Sequence, residues 1–357
     1  MIPNCTLVTA CYYLKKYNTN CRSIEETIFN IYPLLNIPCY LVIYTDIYCI
    51  EHIKKYRDHL KSLTYYIVND FESIKTFKFN DIIKKNRLEY YPTRDIRTCS
   101  ESHLLCCNKF NFVLDIMEIN PFKTEKFGWI DGSVKENFNK IATDYKTNML
   151  LEILNETNPD KFYIQQLGVV SKDYINYKKL YYEEYRWLIC GCLFICGKEV
   201  GTKILNRLNK IFEETTNQGY GHAEEMFYLE ILDEFYNDIE RSYGDYHMIL
   251  NNFLKPTIGF DYIFNNIIQY YIYFGYYREC YDCCRKLLDQ IENFKVDIQY
   301  DIYFCILFSY YVSCYYVDQI KTIEIKEYIF DLIKCNPLIE IEYLKNKEYY
   351  DIQFNYI

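Results

Sequence analysis

Cys39-Tyr-Leu-Val-Ile-Tyr-Thr-Asp46 is an unbroken apolar run that closes on a polar pair, Thr45-Asp46. With no polar residue alternating along it, the run fits a strand buried on both faces, as in a parallel sheet. Working outward, Cys5-Thr-Leu-Val-Thr-Ala10 is a similar run near the N-terminus, and Leu63-Thr-Tyr-Tyr-Ile-Val68 is a third. Between them, Glu25 to Leu35 predicts a helix ended near Pro38, and Ile50 to Leu63 predicts a second. This β-α-β-α-β rhythm predicts a Rossmann-like, mostly parallel sheet flanked by helices, with ligands at the carboxyl ends of the strands.

Downstream, Glu101 to Asn120 predicts one long helix stopped by Pro121. Phe127-Gly-Trp-Ile-Asp131-Gly-Ser133 then reads as a strand leaving the core with a carboxylate at its tip. Phe162 to Val170 and Trp187 to Phe194 are further strand candidates. Gly197-Lys-Glu-Val-Gly201 reads as a turn opening a helix over Lys203 to Thr216. A glycine-rich loop, Asn217 to His222, precedes a helix over Ala223 to Phe235. From Tyr246 onward, apolar and aromatic residues recur at helical spacing through 260–293, 298–318 and 323–335. The expectation is an α/β domain over 1–245 and an all-α C-terminal extension over 246–357.

The chain has 357 residues, half of them hydrophobic, enough for one large or two modest cores. Its 49 acidic against 40 basic residues leave a net charge of −9, which argues against a nucleic-acid backbone as partner. The 42 Tyr, with abundant Asn, Ile and Lys, reflect A/T-rich codons, as in a large DNA virus or a protist. The N-terminus lacks a basic region followed by a long apolar one, so no signal peptide is expected. The apolar stretch 187–196 is too short to span a bilayer, and 303–317, rich in Tyr, reads as a buried helix. A soluble, cytoplasmic protein without a transmembrane segment is expected, in host cytoplasm or virion if the source is viral. The 17 cysteines then read as reduced thiols, and the one CxxC, Cys280 to Cys283, has no second pair to complete a zinc site.

No GxGxxG, Walker, GxSxG or HExxH pattern is present. Enzymes working with carboxylates and a divalent cation stay in play. Asp131, at the end of an apolar strand and followed by Gly132, suits Mn²⁺ or Mg²⁺ bridging a nucleotide diphosphate. It equally suits an ordinary strand-to-turn junction. Glu224 and Glu225, delivered by a glycine-rich turn onto a helix, suit a buried catalytic carboxylate or plain stabilisation of the helix N-terminus. Trp187 reads as a core residue, with a sugar-stacking platform as the rival use.

Four segments in order carry a resemblance: Thr6 to Ala10, Leu41 to Asp46, Lys109 to Gly132 with Asn120-Pro-Phe122 and Trp129-Ile-Asp-Gly132, and Gly197 to Glu225. Together they resemble the HtrL/YibB (WlaTC-like) family, regarded as GT-A-type glycosyltransferases, over roughly residues 5 to 250. The resemblance implies a GT-A-like fold and transfer of a sugar from a nucleotide-sugar, a UDP-sugar foremost, to a glycan or protein acceptor. It places Asp131 as the metal-binding acid of a DxD-like motif for Mn²⁺ or Mg²⁺, with His247 or His222 as late ligand. Ser133 stands where the second acid of the motif belongs. Thr9, Ala10, Tyr44, Thr45 and Asp46 would hold the nucleotide, with Trp129 and Gly132 beside it, and Lys109 would meet the diphosphate. Glu224 or Glu225 would face the acceptor as base or orienting group. The alternative is a protein of the same fold without catalysis, binding a glycan or a partner through the helical extension. A homodimer through that extension is a further expectation.

Overall fold

The computed structural model describes residues 2–89, 95–132, 147–183, 186–220, 224–254 and 259–356. The chain divides into two compact units. The first comprises 1–166, 172–242 and 246–250, and the second 167–171, 243–245 and 251–357.

The first unit is built on a seven-stranded sheet. Its strands are β1 (Cys5–Cys11), β2 (Tyr40–Thr45), β3 (Thr64–Val68), β4 (Lys126–Ile130), β5 (Phe162–Gln166), β6 (Ile189–Gly197) and β7 (Ile239–Tyr243), in spatial order β3-β2-β1-β4-β6-β5-β7. The three opening runs are parallel neighbours, and β4 continues the parallel set on β1. Beyond β4 the sheet turns antiparallel, at β4–β6 and β5–β6, so it is mixed. Burial on both faces makes an apolar run whichever way the strand points, so strand direction was not legible there. In β4 and β6 every residue is buried. Gly128 lets these two strands meet: a Cβ there would lie 2.6 Å from the Phe194 carbonyl oxygen across the ladder.

The helices mostly follow the expected order. A capping box between Ser23 and Glu26 starts α1 (Ile24–Leu35) one residue early. The segment expected as a single helix over 50–63 is α2 (Ile50–Arg57) followed by a 3₁₀ stretch, Asp58–Leu63. After α3 (Asn80–Glu89) comes α4 (Ser100–Ile119), which is buried on most sides. Asn120 ends α4 in the left-handed region (φ 40°) and ties the turn by exchanging two 3.0 Å hydrogen bonds with the Thr124 backbone. The Asn-Pro-Phe segment is thus the device that aims α4 back into β4.

Beyond α5 (Thr147–Glu156), helix α6 (Lys198–Asn217) begins where a turn was expected. Gly201 lies inside it because a side chain there would meet Met117 and Cys196, so this glycine is a packing contact and no hinge. The helix expected over 223–235 is the short α7 (Glu225–Ile231), and β7 after it was not anticipated.

The second unit is helical by itself. Its longer helices are α8 (Tyr277–Phe294), α9 (Tyr300–Val317), α10 (Gln319–Cys335), α11 (Pro337–Lys345) and α12 (Lys347–Tyr356). Cys280, Cys283, Cys284 and Cys314 are free thiols packed in its core beside Ile267, Ile306 and Tyr310. A second core joins Phe304, Phe308 and Tyr311 to Tyr350 and Phe354. No helix among the described residues is long and apolar enough to cross a membrane.

One buried cation organises the entry to β2. Arg57 is fully buried and donates to the carbonyl oxygens of Leu35, Ile37 and Cys39 and to Thr64 Oγ1, at 2.6–3.2 Å. It satisfies the Leu35 carbonyl at the end of α1 and those of the turn into β2, of which Ile37 also accepts from the Cys39 N–H at 2.9 Å. Replacing it strands those acceptors in the core. Arg57→Leu is expected to destabilise the unit by about 3 kcal/mol or more, read as a lower urea midpoint with unchanged slope.

Candidate functional site

At the carboxyl ends of β1 and β4 lies a cleft of about 310 Å³. Ala10, Trp129, Asp131 and Gly132 form its floor, with Lys109 beneath and Arg22 and Arg97 on its walls. The strand ends place the floor: the Asp131 N–H continues the β4–β6 ladder, donating to the Cys192 carbonyl at 2.9 Å. Gly132 passes so near β1 that a Cβ would lie 3.2 Å from the Ala10 oxygen.

The chemistry centres on Lys109, which projects from the middle of α4 and is 1% exposed. Its ammonium donates to Asp131 Oδ1 at 3.2 Å, to the Gly191 carbonyl at 2.9 Å and to Glu224 Oε1. Trp129 Nε1 donates to the same Asp131 oxygen at 2.5 Å, and the Trp129 ring lies 5.5 Å from Lys109 Nζ. Gly191 makes this approach possible, since a Cβ there would sit 2.5 Å from Glu224 Oε1. The Cys-Gly-Cys run of β6 therefore carries a glycine demanded by the site.

Burial alone would pull the Lys109 ammonium down, but the carboxylates of Asp131 and Glu224 hold it well above the ordinary lysine range. Burial pushes the Glu224 carboxyl up, against the pull of Lys109. Burial also lifts Glu225 to about 7, with Lys109 opposing, Asp131 adding to the rise and a Gly191 backbone N–H restraining it. Glu224 Oε2 and the Tyr228 hydroxyl are buried without a hydrogen-bond partner among the described residues.

The structure brings Ala10, Lys109, Trp129, Asp131 and Gly132 together at one cleft and sets Glu224 and Glu225 under its floor. It does not bring Thr9 of β1 or the second strand's residues there. Thr9 and Thr45 are fully buried, and Tyr44 packs its ring 4.2 Å from that of Phe112. Asp46 is 4% exposed and accepts from the backbone N–H groups of Tyr13, Tyr48 and Cys49 at 2.7–3.0 Å. Its carboxylate is spent on the turn into α2, the work of a capping acid, rather than aimed at a base or ribose. Lys109 differs from expectation too: all three ammonium protons go to protein oxygens, so none is left for a diphosphate. Glu224 and Glu225 do not line the cleft and so do not face an acceptor there.

Arg22 and Arg97 are further cations lining the cleft, and reasoning from the sequence passed over both. Asp95, two residues before Arg97, holds its guanidinium by a fork of bonds at 2.7–3.0 Å. That Asp-x-Arg spacing is the signal that was available. Trp187, expected in the core, is 62% exposed and stacks on Tyr246 with ring centroids 6.0 Å apart and planes 8° from parallel. Tyr246 in turn reaches Cys192 Sγ, at 3.4 Å, next along β6 from the floor of the site.

A hard divalent cation needs several oxygen donors converging on one point. Asp131 offers one carboxylate, and its Oδ1 is shared by an indole N–H and an ammonium. Among the described residues no three His, Cys, Asp or Glu side chains converge to hold a metal. Ser133, His222 and the side chain of His247 lie outside the described residues. The described residues do not fit a protein-held cation at Asp131, because a lysine ammonium already stands against it.

No family model matches the chain and no curated protein is matched, so the family resemblance rests on its four segments alone. Among solved structures, the fold is similar to apo mouse xyloside xylosyltransferase 1, with a TM-score of 0.40 and 12% identity over 71% of this chain and 85% of that one.

Glu225 makes the stability of this site pH-dependent. A carboxyl raised to about 7 from its ordinary 4.5 holds its proton in the native state at pH values where the unfolded chain has lost it. Its contribution is therefore full below about 4.5 and lost as the pH rises through 7. Glu225→Gln is expected to flatten the stability profile between pH 5 and 8 and to gain about 2–3 kcal/mol at pH 8 relative to wild type, by urea unfolding at each pH.

Proposed function

We propose that the first unit binds a nucleotide-sugar, a UDP-sugar foremost, in the cleft at the ends of β1 and β4 and transfers its sugar to a hydroxyl acceptor. The observation that carries this reading is the cleft's pairing of a fixed carboxylate, Asp131, with two wall cations, Arg22 and Arg97, at the strand ends where an α/β sheet takes its ligands.

In the reaction the bond from the sugar's anomeric carbon to the diphosphate oxygen breaks, and charge collects on the β-phosphate. Arg22 and Arg97 meet that charge, Arg97 in a fork held ready by Asp95. A new bond forms between the anomeric carbon and the acceptor oxygen, and the acceptor proton passes to a carboxylate. Two described carboxylates line the cleft, Asp131 and Asp95; Asp95 is taken up by its fork with Arg97, which leaves Asp131, with its side chain 27% exposed. Lys109 and Trp129 fix its orientation. Trp187, exposed and braced by Tyr246, offers a flat apolar face for the acceptor sugar.

The second reading, a sugar-nucleotide or glycan binder without catalysis, is favoured by one feature: the ammonium of Lys109 partly neutralises Asp131 at the cleft floor. Thermal unfolding with a panel of nucleoside diphosphates and nucleotide-sugars separates the readings from no function at all. A matching nucleotide at a hundredfold excess over its Kd should add about 2.7 kcal/mol of stability. Arg97→Ala should weaken that nucleotide about tenfold or more. No shift with any nucleotide would remove the donor site altogether, whereas binding without turnover would select the second reading.

The acceptor side is tested separately. Trp187→Ala is expected to raise the acceptor KM about tenfold while leaving nucleotide affinity unchanged, as loss of one stacking face implies. Equal loss of both would place Trp187 in the fold rather than in acceptor binding.

A further inference from the structure

We infer that Lys109 is a built-in cation: its ammonium holds the position at Asp131 that a divalent metal would take, and the cleft binds its nucleotide without one. The inference rests on the nucleotide reading for its second half only. The first half stands on the coordination of Lys109 itself.

Three features carry it. The three N–H bonds of the ammonium are matched by three oxygens from separate parts of the chain, Asp131 after β4, Gly191 in β6 and Glu224 before α7. A side chain that was merely packed, or that reached out to a ligand, would not be saturated this way. The same oxygens, two carboxylates and a main-chain carbonyl, are the hard donors that a small divalent cation prefers. Glu225, buried next to Glu224, packs against Gly191, and Glu224 Oε2 has no partner among the described residues. The cage is thus a hard-cation cage filled by the chain's own cation. A second cation brought to Asp131 would meet the ammonium at close range in a buried setting, where like charges repel strongly. Lys109 is on this account a positioning residue: it fixes the carboxylate at the cleft floor and limits its negative field, leaving Arg22 and Arg97 to hold the phosphates.

The test is titration of Mn²⁺ alone into the full chain, followed by the paramagnetic resonance of free Mn²⁺ and by calorimetry. Wild type is expected to take up no stoichiometric Mn²⁺. Lys109→Met empties the cage and should bind one Mn²⁺ about tenfold or more tighter than wild type, with the gain lost again in Lys109→Met/Asp131→Asn. Should Lys109→Met not fold, Lys109→Met/Glu225→Gln removes one of the buried carboxyls left uncompensated and serves in its place. One Mn²⁺ bound by wild type and lost in Asp131→Asn would overturn the inference. So would a folded Lys109→Met that binds none. The nucleotide half is read by thermal shift in EDTA and in Mn²⁺: equal shifts support it, and a shift that needs Mn²⁺ overturns it. Absence of any nucleotide shift would fail the donor-site reading while the Mn²⁺ titrations still decide the role of Lys109.

Discussion

A single buried ammonium is the constraint around which the first unit is arranged. Lys109 can be buried in α4 only because Asp131, Gly191 and Glu224 each bring an oxygen to it. A lysine so deep without those partners would lose its charge or unfold its surroundings. The arrangement fixes four elements relative to one another: the long central helix, the two central strands β4 and β6, and the start of α7. The glycine at 191 and the indole N–H of Trp129 are consequences of the same demand, one clearing room and the other completing the Asp131 oxygen. Because removing one partner of a buried pair leaves the other uncompensated, the cluster is rigid by energetic necessity.

That rigidity has a functional side. A carboxylate held from behind by an ammonium and an indole presents one orientation to the cleft, as preorganised sites require. The wall cations differ in kind: Arg97 is held by a neighbouring exposed acid, Asp95, and belongs to the solvent side. The cleft therefore pairs a fixed, partly exposed anion with cations on its lining, the polarity that the proposed ligand, with phosphate at one end and hydroxyls at the other, would need. The buried Glu225, with a proton near neutrality, adds a reserve of charge that changes within the physiological range.

Much of this frame was legible. The apolar runs at 5–11, 40–45 and 64–68 are strands in parallel register, the helix over 100–119 sits where its length and the following proline put it, and 246 onward is helical. The Trp-Ile-Asp-Gly segment was legible as a strand end with an acid at its tip. Other features misled for identifiable reasons. Asp46 looked like a ligand acid because it ends a strand, but the next turn needs its oxygens more. Trp187 looked like core because tryptophans usually are, while its stacking partner Tyr246 is distant in sequence.

The sequence by itself determined the secondary structure of the sheet's first half, the helical character of the C-terminal part and the existence of an acid at the end of β4. These follow from local apolar runs, from helical spacing and from turn chemistry, all of which act within a few residues. Only the tertiary structure decided the antiparallel half of the sheet, the clustering of Lys109 with Asp131, Gly191 and Glu224, and the spending of Asp46 on a turn. Each depends on groups brought together from far along the chain: 22 residues separate Lys109 from Asp131, and 115 separate it from Glu224. A buried charge chooses its partners by distance in space and by the oxygens that the surrounding fold can supply, and no local pattern records that choice.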